Sequence, residues 1–462
     1  MRTRLQQLRT FARLSFLIIT IVVVSIILVG YGQGYIYDRD SGEITGGGLA
    51  TFDSEPSNAD IWLNQEYERR TPNRVRLPEG QHEVQLERDG YRSWSREFSL
   101  RESEVANMEY PVLIPERLVT TPHASLPEVI DTALTPDKRS IALSVQDPYW
   151  QLRTLQTEEP RNQQTIFSLA AAPQAITGIS WSPGGSRLLV TTEQDEQSQH
   201  WLVAADGEEA PQNLSVDYEL TFQQLIFTAN PNRMLAVSDD EELLRLAVRD
   251  GDETRLAEDV RAIARDGNTV YAHRHQDDAS QIITVDEDGE TDVLIAYPQL
   301  RDLDMYVAAD DRRSHVLVHD RDRDQLSLIA HQDGSQSETQ TFPAGAASNV
   351  HISPNEQFIV MQSGRYLRTY DRQAERIHSF ALSADPQAPL RWVSDYYLAT
   401  VVDDELVGFD FDGANLEYMA QAQPGPVFAN DDLSRIYSLQ STEEESSMQL
   451  QVTDLSNPSL PE

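Results

Sequence analysis

Cysteine is absent from the 462 residues, and with it go disulfides, thiolate metal sites and cysteine nucleophiles. Lysine is nearly absent: Lys138 is the only one, and the other cationic side chains are arginines. Basic charge of any kind is scarce, 37 Lys and Arg against 75 Asp and Glu, for a net charge of −38. Nucleic acid is therefore a poor main partner, since phosphate backbones are held by clustered Lys and Arg. Adhesion of the folded part to anionic lipid is disfavoured for the same reason. An acidic, arginine-over-lysine composition is common where high external salt is tolerated, and the charge favours a soluble monomer. At 39% hydrophobic and 24% charged, the chain is not disordered in bulk.

One run is apolar all round. Leu14 to Val29 reads LSFLIITIVVVSIILV, interrupted only by Ser15, Thr20 and Ser25. A soluble core helix would show polar residues every third or fourth position. With its flanks the stretch nears the roughly 20 residues that cross about 30 Å of hydrocarbon, which predicts a transmembrane anchor over 14–31. Arg2, Arg4, Arg9 and Arg13 precede it, and no acidic residue comes before Asp38. That asymmetry makes 1–13 a cytoplasmic tail and the remainder extracytoplasmic. Tyr31, Tyr35 and Tyr37 fall where an interfacial aromatic belt would lie. A cleaved signal peptide would have a shorter apolar core and a small-x-small site. Val29-Gly30-Tyr31-Gly32-Gln33 is a poor site, so the anchor is read as uncleaved. Residues 32–46 follow as a spacer, and the Gly-rich DRDSGEITGGG of 38–48 reads as flexible.

Residues 47–115 alternate with period two between Pro, Gly and Asp turns, which predicts a small β-sandwich. Strands are expected at Leu49–Phe52, Ala59–Leu63, Val75–Leu77, His82–Leu86, 93–100 and 106–113. Short motifs fall in order: Ser54 to Asn64 (SEPSNADIWLN), Thr71-Pro72, Leu77-Pro78-Glu79-Gly80 and Asp89-Gly90-Tyr91. Together they resemble the PEGA domain, whose naming motif stands here as Pro78-Glu79-Gly80-Gln81. The resemblance implies a sandwich module of bacterial surface and envelope proteins. It departs from the family at Gln65 to Arg70 (QEYERR), where members have glycines and a charged loop is expected. Gly80 and Gly90 are expected at φ > 0, with Pro56 and Pro72 bounding strands. An exposed sugar platform of Trp62, Trp94 and Tyr91 is the alternative to these turn and core roles.

From about Pro127 the chain repeats with a period near 40 residues. One mark is a turn after a short apolar strand, as in Thr135-Pro136-Asp137-Lys138, Ser182-Pro183-Gly184-Gly185 and Ser353-Pro354-Asn355-Glu356. The second is Asp-Gly about 20 residues later, at 206, 250, 288, 333 and 412. Asp-Gly between strands favours a primed hairpin with both residues at φ > 0. Two marks in phase over eight units predict a β-propeller over 117–457, with eight blades favoured and seven left open. Ile179 to Gly185 (ISWSPGG) resembles the repeat of TolB-like and WD-like propellers. The last unit lacks a fourth strand, and Leu118-Val119-Thr120-Thr121 is expected to supply it and close the ring.

No Gly-x-Ser-x-Gly elbow, phosphate loop or His-Glu-x-x-His occurs. No catalytic, cofactor-binding, metal-binding or partner-binding residue is therefore assigned. His273 with His275, and His315 with His319, have strand spacing but no third ligand. Asp320-Arg321-Asp322-Arg323-Asp324 starts like a calcium loop but has Gln325 in the glycine place and His331 in the last. It reads as a hairpin loop, and Asp410 to Asn415 (DFDGAN) as a blade turn. Glu443-Glu444-Glu445 reads as an exposed loop. Trp181 and Trp392 fall on first strands and are expected to pack between blades.

The composite expectation is an all-β bitopic protein of a bacterial inner membrane, with its bulk periplasmic. Its role is a non-enzymatic scaffold for an envelope protein or a cell-wall glycan such as peptidoglycan. Acidic charge is expected to favour a basic partner, with binding that weakens in salt. The alternatives are a propeller enzyme acting on glycan or a small metabolite at the channel mouth, and a sensor, disfavoured by so short a tail.

Overall fold

Strand patterning dominates because the apolar residues alternate and Gly, Pro and Asx residues break nearly every run within ten positions. The computed structural model describes residues 19–22, 24–25, 35–37, 44–157, 162–169, 173–195, 197–266, 269–309, 314–331, 338–430, 432–441 and 447–456. The tail 1–13 lies outside them. Of the anchor, only 19–22 and 24–25 are described, and both are helical. Among the described residues no helix is long and apolar enough to cross a membrane. The chain divides into two units, one holding residues up to Arg117 and the other Leu118–Leu455.

The first unit is a sandwich of two four-stranded sheets. One joins Tyr35–Tyr37, Ile44–Phe52 and Asn73–Pro78, with Val105–Met108 pairing parallel to Ile44–Phe52. The other runs Glu66–Arg70, Asp60–Leu63, Gly80–Glu87, Trp94–Leu100. Inward residues follow the period of two: Ile61 and Leu63, then Val84 and Leu86, meet Phe52 and Trp94 in one apolar cluster. Ser54 and Thr71, from two separate motifs, share a buried hydroxyl–hydroxyl hydrogen bond of 2.8 Å.

Two expectations are corrected here. The glycines read as flexible spacer are strand residues: a Cβ on Gly48 would stand 2.7 Å from both Leu100 and the Glu104 carbonyl. The loop expected at Gln65–Arg70 is a two-residue turn, Asn64 and Gln65 at φ 49° and 70°, followed by an exposed edge strand, Glu66–Arg70. Gly80 and Gly90 take φ of 143° and 82°, as expected.

The second unit is an eight-bladed β-propeller, counted among the described residues. Six blades are separate four-stranded sheets with innermost strands beginning at Ala175, Phe222, Val260, Leu303, Asn349 and Arg391. The remaining sheet has seven strands because one strand, Val119–Leu134, serves two blades. Its first half pairs with Ser447–Asp454 and completes the eighth blade. Its second half pairs with Ser140–Asp147 and opens the first. Thr120 stands opposite Thr453, so the chain closes its own ring as expected.

The first repeat mark is a hydrogen-bonding device. In Ser353-Pro354-Asn355-Glu356 the Ser353 hydroxyl donates to Asn355 Oδ1 (2.6 Å) and accepts from the Phe358 N–H (2.9 Å). Thr135 does the same with Asp137 and the Ser140 N–H. The fourth residue of the turn is left-handed in four blades: Lys138, Gly185, Glu356 and Leu433 have φ of 55°, 68°, 58° and 53°.

The second mark differs from expectation. In the described Asp-Gly pairs only the glycine has positive φ: Gly207 68°, Gly251 71°, Gly289 86°, Gly413 82°. The aspartate instead accepts from a backbone N–H two residues on, as Asp206 does from Glu208 (3.0 Å) and Asp412 from Ala414 (3.2 Å). Primed turns occur elsewhere, between second and third strands, at Asp277-Asp278 and Asp403-Asp404, where both residues have φ between 52° and 60°. The glycine answers a neighbour: Gly207 sits on Ile166, Gly289 on Leu256 and Gly413 on Phe380, each on the outer strand of the preceding blade. Ile166 and Leu256 are themselves extra residues of β-bulges, turned inward and buried.

Candidate functional site

Innermost strands line a propeller channel, and here side chains lock them to one another. Gln224 of the third blade pairs its amide with both backbone groups of Ile263 in the fourth, at 2.9 and 2.8 Å. The Trp181 indole N–H donates to the Ala133 carbonyl at 2.9 Å. Four innermost strands carry a β-bulge in the same place, and the extra residue, Ile130, Thr177, Gln223 or Arg261, is exposed. Rigid strands and outward bulges present side chains to a ligand with little loss of freedom on binding.

A cavity of about 420 Å³ opens where the first, second, seventh and eighth blades bring the ends of these strands together. Two indoles, Trp181 and Trp392, and two cations, Lys138 and Arg391, line it with Ser180 and Phe428. Its lining holds no carboxylate. Among the described residues neither the Lys138 nor the Arg391 side chain makes a hydrogen bond or ion pair. Elsewhere arginines are matched, as in Arg70–Asp60 (2.7 Å), Arg187–Glu209 (2.8 Å) and the buried Arg301–Asp320 (2.6 Å). Trp392 stacks on Phe358 with centroids 6.1 Å apart, and its indole N–H is buried without an acceptor. Arg391 acts electrostatically on two groups nearby. Burial raises the Asp131 carboxyl above its ordinary range, and Arg391 opposes this. Burial lowers the His351 imidazole, and Arg391 adds to it.

A second cavity of about 250 Å³ lies between the third and fourth blades. It gathers Arg233, Arg245 and Arg265 with Asp286 and Glu287. Arg245 donates to the Glu287 carbonyl at 2.7 Å, so this cluster is already part of the blade junction.

The residues weighed in the sequence have mostly structural surroundings. His273 and His275 do face one another, with centroids 4.9 Å apart and both Nε2 atoms buried without a partner. No group of three or more His, Cys, Asp or Glu is placed to hold a metal among the described residues. His315 lies against Arg372 (2.6 Å), and His319 stands 3.8 Å from Asp304, which Arg321 already holds at 2.5 Å. In the calcium-like loop Asp320 is committed to Arg301 and to the Arg323 N–H, and Asp324 to the Ala346 N–H. Asp410 accepts from Asn415 at 2.8 Å within its turn. Glu443-Glu444-Glu445 and Asp333-Gly334 lie outside the described residues. The aromatic platform of the first unit does not form: Trp94 and Tyr91 are buried, and only Trp62 faces outward, packed edge-on against Tyr67 at 5.6 Å. The pair missed by sequence reasoning is Lys138 with Arg391. Its one visible signal is that the sole lysine occupies a blade turn.

Burial among the blades pushes the His273 imidazole down to about 4, and His275 and Arg261 add to the shift. Its folded pKa therefore lies below the unfolded value of 6.5. The stability it contributes is full above the unfolded pKa and is lost as pH falls from there toward about 4. Urea midpoints should drop across that window, and His273→Leu should reduce the slope. Parallel pH profiles for the two proteins would show that the ring protonates in the folded state as freely as in the unfolded one.

Comparison with known proteins agrees with both units. Residues 48–113 match the family model of the PEGA domain. No curated protein matches the chain. The C-terminal WD40 domain of Sif2 is 11% identical, with a TM-score of 0.50 over 72% of this chain and 98% of that one. Sqt1 of Saccharomyces cerevisiae is 12% identical, with a TM-score of 0.48 over 74% and 98%. An oligogalacturonate lyase of Vibrio parahaemolyticus is 10% identical, with a TM-score of 0.45 over 73% and 94%. At such identities the likeness to Sif2 is one of fold alone, a β-propeller. The chain thus carries a PEGA domain followed by a WD-like propeller.

Proposed function

We propose that this protein is a non-enzymatic binding scaffold. It is anchored through residues 14–31, with its bulk on the outer side of a bacterial cytoplasmic membrane. The propeller receives an envelope protein or a cell-wall glycan at its channel mouth. The observation that carries this reading is the 420 Å³ cavity, in which two indoles and two cations that make no hydrogen bond among the described residues converge on a ring closed by its own first strand. Such a cavity, largely apolar with a few polar groups, is the usual form of a ligand site. The apolar run and the four arginines before it support the anchor and its orientation.

The test is capture from envelope extract, with purified peptidoglycan sedimented in parallel. The full chain in detergent is compared with the double variant Lys138→Glu, Arg391→Glu. The scaffold reading expects one partner, or peptidoglycan, retained by the native chain and lost at least tenfold from the variant. Equal retention by both would move the site away from the mouth.

A further inference from the structure

We infer that the channel mouth binds a carboxylated sugar, with Lys138 and Arg391 holding the carboxylate and the indoles of Trp181 and Trp392 packing the ring. The inference rests on the mouth being the binding site and names the ligand class that fits it.

The charged groups of the lining are two cations, with no carboxylate among them. Lys138 and Arg391 bring charged donors that make no hydrogen bond among the described residues, and the Asp131 carboxyl, outside the lining, acts on Arg391. The Ala133 carbonyl already accepts from Trp181. A ligand that brings an anionic acceptor fits this lining best. The carboxylate and ether oxygens of an acidic sugar accept without bringing a donor, and its hydroxyls can do either. A planar carboxylate also matches the guanidinium fork of Arg391 in a way that a point cation alone does not demand.

The walls point the same way. Trp181 is fixed by its hydrogen bond to the neighbouring blade, and Trp392 is backed on one face by Phe358. Each is a flat, preorganised surface with an electron-rich face, suited to the polarised C–H face of a sugar ring. The volume of about 420 Å³ suits one or two rings. The charge of the whole chain, −38, repels an acidic ligand at long range. That repulsion is screened beyond roughly 8–10 Å at physiological salt, while the two cations act at contact. Binding should consequently hold or tighten as salt rises from low values, the reverse of the salt response expected for a basic partner.

Lys138 offers a direct readout because it is the only lysine. Reductive methylation with ¹³C-formaldehyde keeps its charge and yields a single dimethyl-lysine resonance beside that of any free N-terminal amine. The full chain in detergent is titrated with glucuronic acid and N-acetylmuramic acid. Glucose, N-acetylglucosamine, inorganic phosphate and a short acidic peptide are run in parallel. The acidic sugars are expected to shift the Lys138 resonance saturably and to bind at least tenfold tighter than their neutral counterparts. By calorimetry, Arg391→Met and Lys138→Met should each weaken binding about tenfold, Arg391→Lys less, with thermal midpoints unchanged.

Equal binding of neutral and acidic sugars would overturn the carboxylate assignment. Tighter binding of phosphate or of the acidic peptide would overturn the ligand class. If no sugar shifts the resonance while envelope capture still depends on Lys138 and Arg391, this inference fails and the scaffold reading stands. If capture is independent of both residues, the scaffold reading of the mouth fails with it.

Discussion

Leu126→Ala is expected to lower the thermal midpoint by roughly 3–7 °C, measured by calorimetry on the full chain. Leu126 lies in the half of the Val119–Leu134 strand that completes the eighth blade, 2% exposed and packed with Leu450, Val452 and Tyr437. Removing a buried leucine leaves a cavity and costs about 2–5 kcal/mol. In a unit as long as Leu118–Leu455 each kcal/mol moves the midpoint by about 1–2 °C. The location makes the loss more than local. Val119 to Pro127 pairs directly with the C-terminal strand at the start of the ring, through the register Val119↔Asp454 to Pro127↔Ser447. Deleting 118–121 should lower the midpoint too, and should also expose the edge of Ser447–Asp454 to pairing with other chains. A midpoint unchanged in both variants would mean that the ring is held by its blade-to-blade packing and that the shared strand is incidental.

Local chemistry made the blades legible in the sequence, and non-local contacts hid the rest. Ser353-Pro354-Asn355 announces a turn because its hydroxyl and amide oxygens bond within five residues, so the repeat was readable from spacing. The Asp-Gly pairs announce turns as well, but at Gly207, Gly289 and Gly413 the glycine lies against the outer strand of the previous blade, at Ile166, Leu256 and Phe380, more than thirty residues upstream. Gly48 is the same case: it reads as a linker until Leu100 and Glu104 come against it. Alternation placed Ile61 and Leu63 inward, and the core role expected for Trp94 holds, since its partner across the sheet is buried Leu86. The channel mouth is the extreme instance. Lys138 and Arg391 belong to the first and seventh blades, and only ring closure makes those blades near neighbours. No local pattern marks Arg391, which follows an ordinary Pro-Leu in the sequence.

Gly413→Ala should be among the most damaging single-methyl additions in the propeller, at about 2–5 kcal/mol. Two effects add. At φ 82° an alanine pays left-handed strain, about 1–2 kcal/mol. Its Cβ would also overlap the Phe380 ring on the outer strand of the sixth blade, and overpacking adds about 1–3 kcal/mol. Gly251 separates the two effects: its φ is 71°, but nothing lies within 4 Å of the added Cβ. Gly251→Ala should therefore show the strain alone. In a Phe380→Ala background the overlap at position 413 disappears, so Gly413→Ala should there fall to about the Gly251 value, with a coupling of about 1–3 kcal/mol in the double-mutant cycle. Gly289 supplies the opposite control. Its Cβ would meet the Leu256 carbonyl oxygen at 2.9 Å, a backbone atom that no side-chain truncation removes, so Gly289→Ala should stay costly in a Leu256→Ala background. Equal losses at 251, 289 and 413, with no coupling to Phe380, would mean that these glycines serve turn geometry alone. Unequal losses in the order given would mean that the Asp-Gly repeat exists to let each blade seat against the one before it.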